Sequence, residues 1–134
     1  KEFFRRLDEA LVTGASVMIE STLSGLSLLK KIQEFKANGY SIEIVYVFLL
    51  DVQACKKRVR LRAQKGGHNV PSTDIERRYY RSIHNFRNSY STLADKWQLL
   101  YNGYKRPVEV AVSEDQMAMV LDEAYYKIFM EIKR

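Results

Sequence analysis

Hydrophobic positions along this chain change period several times, and each change marks an element. Phe4, Leu7, Ala10 and Leu11 recur at helical spacing and Gly14 follows where a left-handed stop is needed, so a first helix is expected. Ala15 to Ile19 is a short apolar run that breaks into Glu20-Ser21-Thr22, the pattern of a buried strand with a polar C-terminal tip. Leu28, Leu29, Ile32 and Phe35 return to helical spacing, closed by Asn38-Gly39. Ile42 to Leu50 is almost continuously apolar and rich in β-branched and aromatic residues, which predicts a central parallel strand covered on both faces.

Asp51 is placed to cap a helix from Val52 to about Gln64, and Gly66 to Pro71 reads as a loop. Thr73 with Glu76 forms a capping-box pattern before a long apolar stripe of Ile75, Tyr79, Ile83, Phe86, Tyr90 and Leu93. Gln98 to Tyr101 is a short strand, and Val108, Val110 and Val112 alternate as an edge strand would. Ser113 with Gln116 makes a second capping box, predicting a last helix striped by Met117, Val120, Leu121, Ala124, Ile128 and Ile132. Helices alternating with strands imply an α/β three-layer sandwich with a mostly parallel sheet, in one domain spanning residues 1–134.

Composition narrows the class. The 134 residues suffice for one domain, and 46% hydrophobic with 28% charged residues excludes a disordered or fibrous chain. The longest apolar run is far short of the roughly 20 residues a membrane-spanning helix needs, so no membrane partner is expected. One cysteine, Cys55, and no Cys/His spacing of the zinc type point to a cytoplasmic location, with Cys55 read as packing.

Charge is more informative when it is resolved along the chain. The net charge is +6. Residues 56–87 hold ten basic and two acidic side chains, a local +8, so the remainder carries −2. The excess lies on two helix faces that flank the glycine loop: Arg58 and Arg62 four residues apart, then Arg78, Arg81 and Asn85. Such a pair of faces forms a clamp for phosphate, because guanidinium forks match phosphate oxygens; solvated helix faces are the competing reading. His68 in the loop either reaches a phosphate or stands idle. Nucleic-acid binding ranks below these readings, since the aromatics fall on the apolar stripe and offer no stacking platform.

In parallel sheets ligands gather at the carboxyl ends of the strands, which puts Glu20, Ser21, Thr22, Asp51 and Asn102 on the working edge. Glu20 can accept from a substrate hydroxyl or hold a metal ion through water. Ser21 and Thr22 serve either a substrate or merely the cap of the following helix.

The segments Val17–Gly25 (Val-Met-Ile-Glu-Ser-Thr-Leu-Ser-Gly), Gly39-Tyr40, Arg58–Arg62, Gly66–Pro71, Ile75–Tyr79, Arg81-Ser82, Asn85-Phe86 and Asp95–Trp97, in this order and spacing, resemble the zeta toxin-like family of P-loop kinases from about residue 4 to residue 112. The resemblance implies a nucleoside-kinase-like fold. It also implies transfer of the ATP γ-phosphoryl, with Mg2+, to a hydroxyl of a small molecule such as the nucleotide sugar UDP-N-acetylglucosamine. Glu20, Ser21 and Thr22 then fall to the substrate, with Glu20 also near the metal. Arg58 or Arg62, with Arg78, match the catalytic phosphate-binding arginines of a lid at about residues 56–87. His68, Arg77, Arg81 and Asn85 fall to the nucleotide side. An antitoxin protein and self-association are the candidate macromolecular partners.

No G-x-x-x-x-G-K-[ST] motif occurs in the chain, and Lys1 already lies in a helical pattern. The expectation is therefore a partial domain lacking the phosphate loop, the catalytic aspartate and the first strand. As this polypeptide alone it would be inactive, its sheet poorly covered unless it dimerises or the protein is longer. The alternative is a non-catalytic module of the same fold that binds a phosphorylated ligand or a protein.

Overall fold

A computed structural model describes residues 2–67, 70–103 and 105–133. Its elements are α1 (Glu2–Thr13), α2 (Ser27–Ala37), β1 (Glu43–Phe48), α3 (Val52–Gln64), α4 (Ser72–Asn85), a π-helical turn (Phe86–Tyr90) running into α5 (Ser91–Leu93), β2 (Lys96–Asn102), β3 (Pro107–Glu114), β4 (Met117–Val120) and α6 (Glu123–Glu131).

The first two helices end as their glycines predict. Gly14 has φ +75° and donates to the Ala10 carbonyl at 2.8 Å, while Gly39 at φ +86° follows the Asn38 cap. Asp51 caps α3 by accepting from the Ala54 amide at 2.9 Å. At α4 the expected capping box does not form. The helix begins at Ser72, one residue before Thr73, and the Pro71 carbonyl accepts from the Asp74 and Ile75 amides. Glu76 turns instead to Lys56, 3.2 Å away on α3.

The sheet runs β1-β2-β3-β4, with β1 and β2 parallel and the other two pairs antiparallel. It is therefore mixed, where a mostly parallel sheet was expected, and β3 lies between β2 and β4, not at an edge. A bulge at Leu99/Leu100 leaves Val110 as the extra residue of β3. β4 replaces the first turns of the expected last helix. Asp115 (φ 51°) and Gln116 (φ 66°) both take the left-handed conformation, which makes the two-residue hairpin turn between Glu114 and Met117. The Ser113–Gln116 spacing mimics a capping box, but Ser113 is a strand residue, and α6 is capped by Asp122, which accepts from the Tyr125 amide at 3.0 Å. The buried side of α6 is accordingly Phe129 with Tyr125, Tyr126 and Ile132 packed beside it, while Ile128 is exposed.

One face of the sheet carries the core. Tyr46 stacks on Phe86 with ring centroids 4.4 Å apart, and Phe48 meets Phe129 of α6 at 4.8 Å. The aromatic stripe of α4 and the π turn is buried, as its spacing predicts. The opposite face is open: Val45 is 61% and Met119 62% exposed. Among the described residues there are thus two layers, not three, and β1 is an edge strand instead of a central one covered on both sides. The run Ala15–Ile19 is not a strand. It lies across a cleft from β1 with no ladder partner, and Met18 is 96% exposed. An apolar run becomes a strand only where another strand's edge meets it.

Candidate functional site

A cleft of about 1040 Å³ lies between the 17–23 segment and the free edge of β1. Its walls bring together Glu20, Ser21, Thr22, Arg58, Arg62 and Arg78, which lie up to 58 positions apart in the sequence. Asn102, at the carboxyl end of β2, also lines it. With its amide oxygen turned toward Arg58, Asn102 accepts from the two terminal guanidinium nitrogens at 2.6 and 2.9 Å, which anchors that arginine at the strand ends. Arg62 lies four residues on, one turn along the same side of α3, and Arg78 reaches the cleft from α4.

The acidic and hydroxyl wall is built by a tight turn. The Ser21 hydroxyl accepts from the Leu23 amide at 3.0 Å, and the Thr22 and Ser24 hydroxyls are 2.9 Å apart. Leu23 is buried at φ 57°, a conformation that costs a leucine of order 1–2 kcal/mol and persists only when neighbours impose it. Those neighbours are on β1, α4 and the π turn. Tyr46 donates to the Ser82 hydroxyl, which donates to the Thr22 carbonyl. Asn85 donates to the Leu23 carbonyl and Tyr90 to the Gly25 carbonyl, each at 2.8 Å. Burial pushes the Tyr46 phenol up to about 12. The Tyr79 hydroxyl donates to the Leu49 carbonyl, tying α4 to the end of β1, and burial raises its pKa as well.

Not every sequence-predicted residue joins this group. Arg77 is exposed and pairs with Asp74 at 3.0 Å, and neither it nor exposed Arg81 lines the cleft. Asn85 is buried and engaged with the loop backbone, so it is not available to a nucleotide. His68 lies outside the described residues. Arg87, counted in the +8 segment, is drawn away altogether: it donates to the Phe129, Met130 and Ile132 carbonyls at the end of α6. Cys55 is half-buried and burial raises its thiol to about 11, in keeping with a packing role. Ser82, Tyr46 and Tyr90 receive no role at the site from the sequence, where Tyr90 reads as core; the signal was polar Ser82 and Asn85 at helical spacing beside an aromatic stripe.

These features define a class: a mixed α/β protein with an arginine-lined cleft at the carboxyl end of a parallel strand pair. Its family follows from the sequence. The chain belongs to the Zeta toxin family, whose sequence model matches residues 4–115. It is also similar to an uncharacterized protein of Haemophilus influenzae, 31% identical over 61 residues, a stretch covering 46% of this chain. The match spans 44% of that relative, less than half its length. No solved structure matches. No helix of the described residues is long and apolar enough to cross a membrane.

Proposed function

We propose that this chain forms the acceptor and arginine side of an ATP-dependent phosphotransferase that phosphorylates a hydroxyl of a small molecule, with a nucleotide sugar of the UDP-N-acetylglucosamine type as the best candidate. The observation that carries the reading is the convergence of Glu20 and Thr22 with Arg58, Arg62 and Arg78 around one cleft in a chain of the Zeta toxin family. Three guanidinium groups at that position suit the diphosphate of an acceptor and the charge that develops on a phosphoryl group in flight. Glu20 and Thr22 offer an acceptor and a hydroxyl to a sugar ring.

Magnesium fits the donor chemistry in a limited way. Glu20 is a hard oxygen ligand, yet no group of three His, Cys, Asp or Glu among the described residues is arranged to hold a metal. A magnesium ion at Glu20 would therefore take most of its coordination from phosphate oxygens and water, as this ion commonly does. Bound there, it would neutralise phosphate charge. The sequence carries no lysine-bearing phosphate loop for the β- and γ-phosphates, so these residues are assigned to the acceptor and to the phosphoryl group in flight.

The test uses the full-length gene product with γ-labelled ATP, Mg2+ and UDP-N-acetylglucosamine. Label should appear on the sugar nucleotide, and Glu20→Gln and Arg62→Ala should each reduce the rate at least tenfold. A folded protein that transfers no label to any nucleotide sugar, or transfer indifferent to both substitutions, would overturn the proposal.

A further inference from the structure

We propose that Asn85 is a positioning residue which, by holding the Leu23 carbonyl, sets where Glu20 and Thr22 stand opposite the arginine of its own helix. The inference rests on the cleft being the acceptor site. Along α4 and the following turn, Arg78, Ser82, Asn85 and Tyr90 form one file. Arg78 lines the cleft, and the other three grip the loop at the Thr22, Leu23 and Gly25 carbonyls. Spacings of four and three keep the first three on one face of an α-helix. The step from Asn85 to Tyr90 is five, which in a regular α-helix would swing Tyr90 well off that face; the π turn at Phe86–Tyr90 takes up the extra residue and restores the alignment.

The hydroxyl and carboxylate wall is therefore fastened to the element that carries Arg78, and the two halves of the cleft keep a fixed spacing. Asn85 is the critical link. Its carbonyl partner belongs to Leu23, the residue held at φ 57°, and Asn85 is itself buried, so water is a poor substitute for its donor. Removing the amide should let Leu23 relax to a right-handed or extended conformation and carry Thr22 and Glu20 with it.

The experiment compares full-length wild-type protein with Asn85→Ala by hydrogen exchange and by binding of UDP-N-acetylglucosamine and of ATP. In Asn85→Ala, amides over residues 20–26 should exchange at least tenfold faster while those of β2 keep their wild-type rate. Affinity for the nucleotide sugar should fall about tenfold, with ATP affinity unchanged within twofold. Adding Leu23→Gly, which tolerates the left-handed turn without help, should recover most of the nucleotide-sugar affinity in the Asn85→Ala background, a rescue that a merely structural asparagine would not permit. Should Asn85→Ala fail to fold, Asn85→Leu keeps the approximate shape, loses the donor, and is read in the same way. Unchanged exchange over residues 20–26, uniform acceleration across the chain, or loss of both ligands in parallel would overturn the inference. If the wild type binds no nucleotide sugar, the acceptor-site reading falls, and the exchange comparison still decides whether Asn85 holds the turn.

Discussion

Replacing Arg87 separates the structural from the ligand-facing part of the basic segment. Its guanidinium makes three charge-assisted bonds, at 2.6, 2.9 and 3.2 Å, to carbonyls at the C-terminal end of α6, and it lies 5.7 Å from the centre of the Phe129 ring. A hydrogen bond to a charged group contributes roughly 1.5–3 kcal/mol. Part of this is offset, since burial lowers the Arg87 pKa by disfavouring its charge, and since Met130 is exposed enough for water to replace one bond. A net loss of about 2–3 kcal/mol in Arg87→Ala is the expected balance. With a urea slope of about 1–3 kcal/mol/M, the midpoint should fall by roughly 1 M or more. Arg87→Lys should recover only part, because an ammonium cannot span three carbonyls. Exposed Arg81→Ala should cost under about 0.5 kcal/mol. The reasoning is refuted if Arg87→Ala leaves the urea midpoint in place, or if Arg81→Ala lowers it as much.

Other outcomes follow from the same geometry. Arg78→Ala should weaken nucleotide-sugar binding roughly 10- to 100-fold by calorimetry, the worth of one charge-assisted phosphate contact, with little change in thermal stability. Because burial raises the Cys55 thiol from 9.0 to about 11, its neutral form is favoured in the fold. The resulting stability should be complete below pH 9 and lost between about pH 9 and 11, and iodoacetamide at pH 8 should label the native chain far more slowly than the unfolded one. Gln116→Gly should stabilise the protein by up to about 1 kcal/mol in urea titrations, since glycine takes φ 66° without strain.

What the sequence disclosed and what it hid divide along physical lines. Elements whose signals are local were readable: the glycine stops of α1 and α2, the Asp51 cap of α3, and the aromatic stripe of α4. Features that depend on distant partners were not. Ala15–Ile19 has the composition of a strand, but no strand edge meets it; Val45 and Val47 look like core residues, yet they lie on the face of the sheet that the described residues leave open. The β3–β4 hairpin was masked because Asp115-Gln116 lacks the glycine that usually marks left-handed turn residues, and Met117 and Met119 fit a helical stripe equally well. Within the site, charge and residue type led to Glu20, Thr22 and the arginines that share the cleft. They did not disclose that Asn85 holds a loop carbonyl or that Arg87 turns to the end of α6, because a polar residue on a basic helix face gives no sign from sequence whether it meets solvent or a neighbouring backbone.

The central claim is that one cleft, walled by Glu20 to Thr22 and by Arg58, Arg62 and Arg78, receives a phosphorylated acceptor. Titrating isotope-labelled full-length protein with UDP-N-acetylglucosamine and mapping the resonances that move tests it most directly. The account predicts saturable shifts concentrated on residues 20–22 and on the Arg58, Arg62 and Arg78 side chains, abolished by Arg62→Ala with Arg78→Ala. Shifts centred on Arg77 and Arg81 or on exposed Met117 and Met119 of β4, or no saturable shift at all, would contradict it.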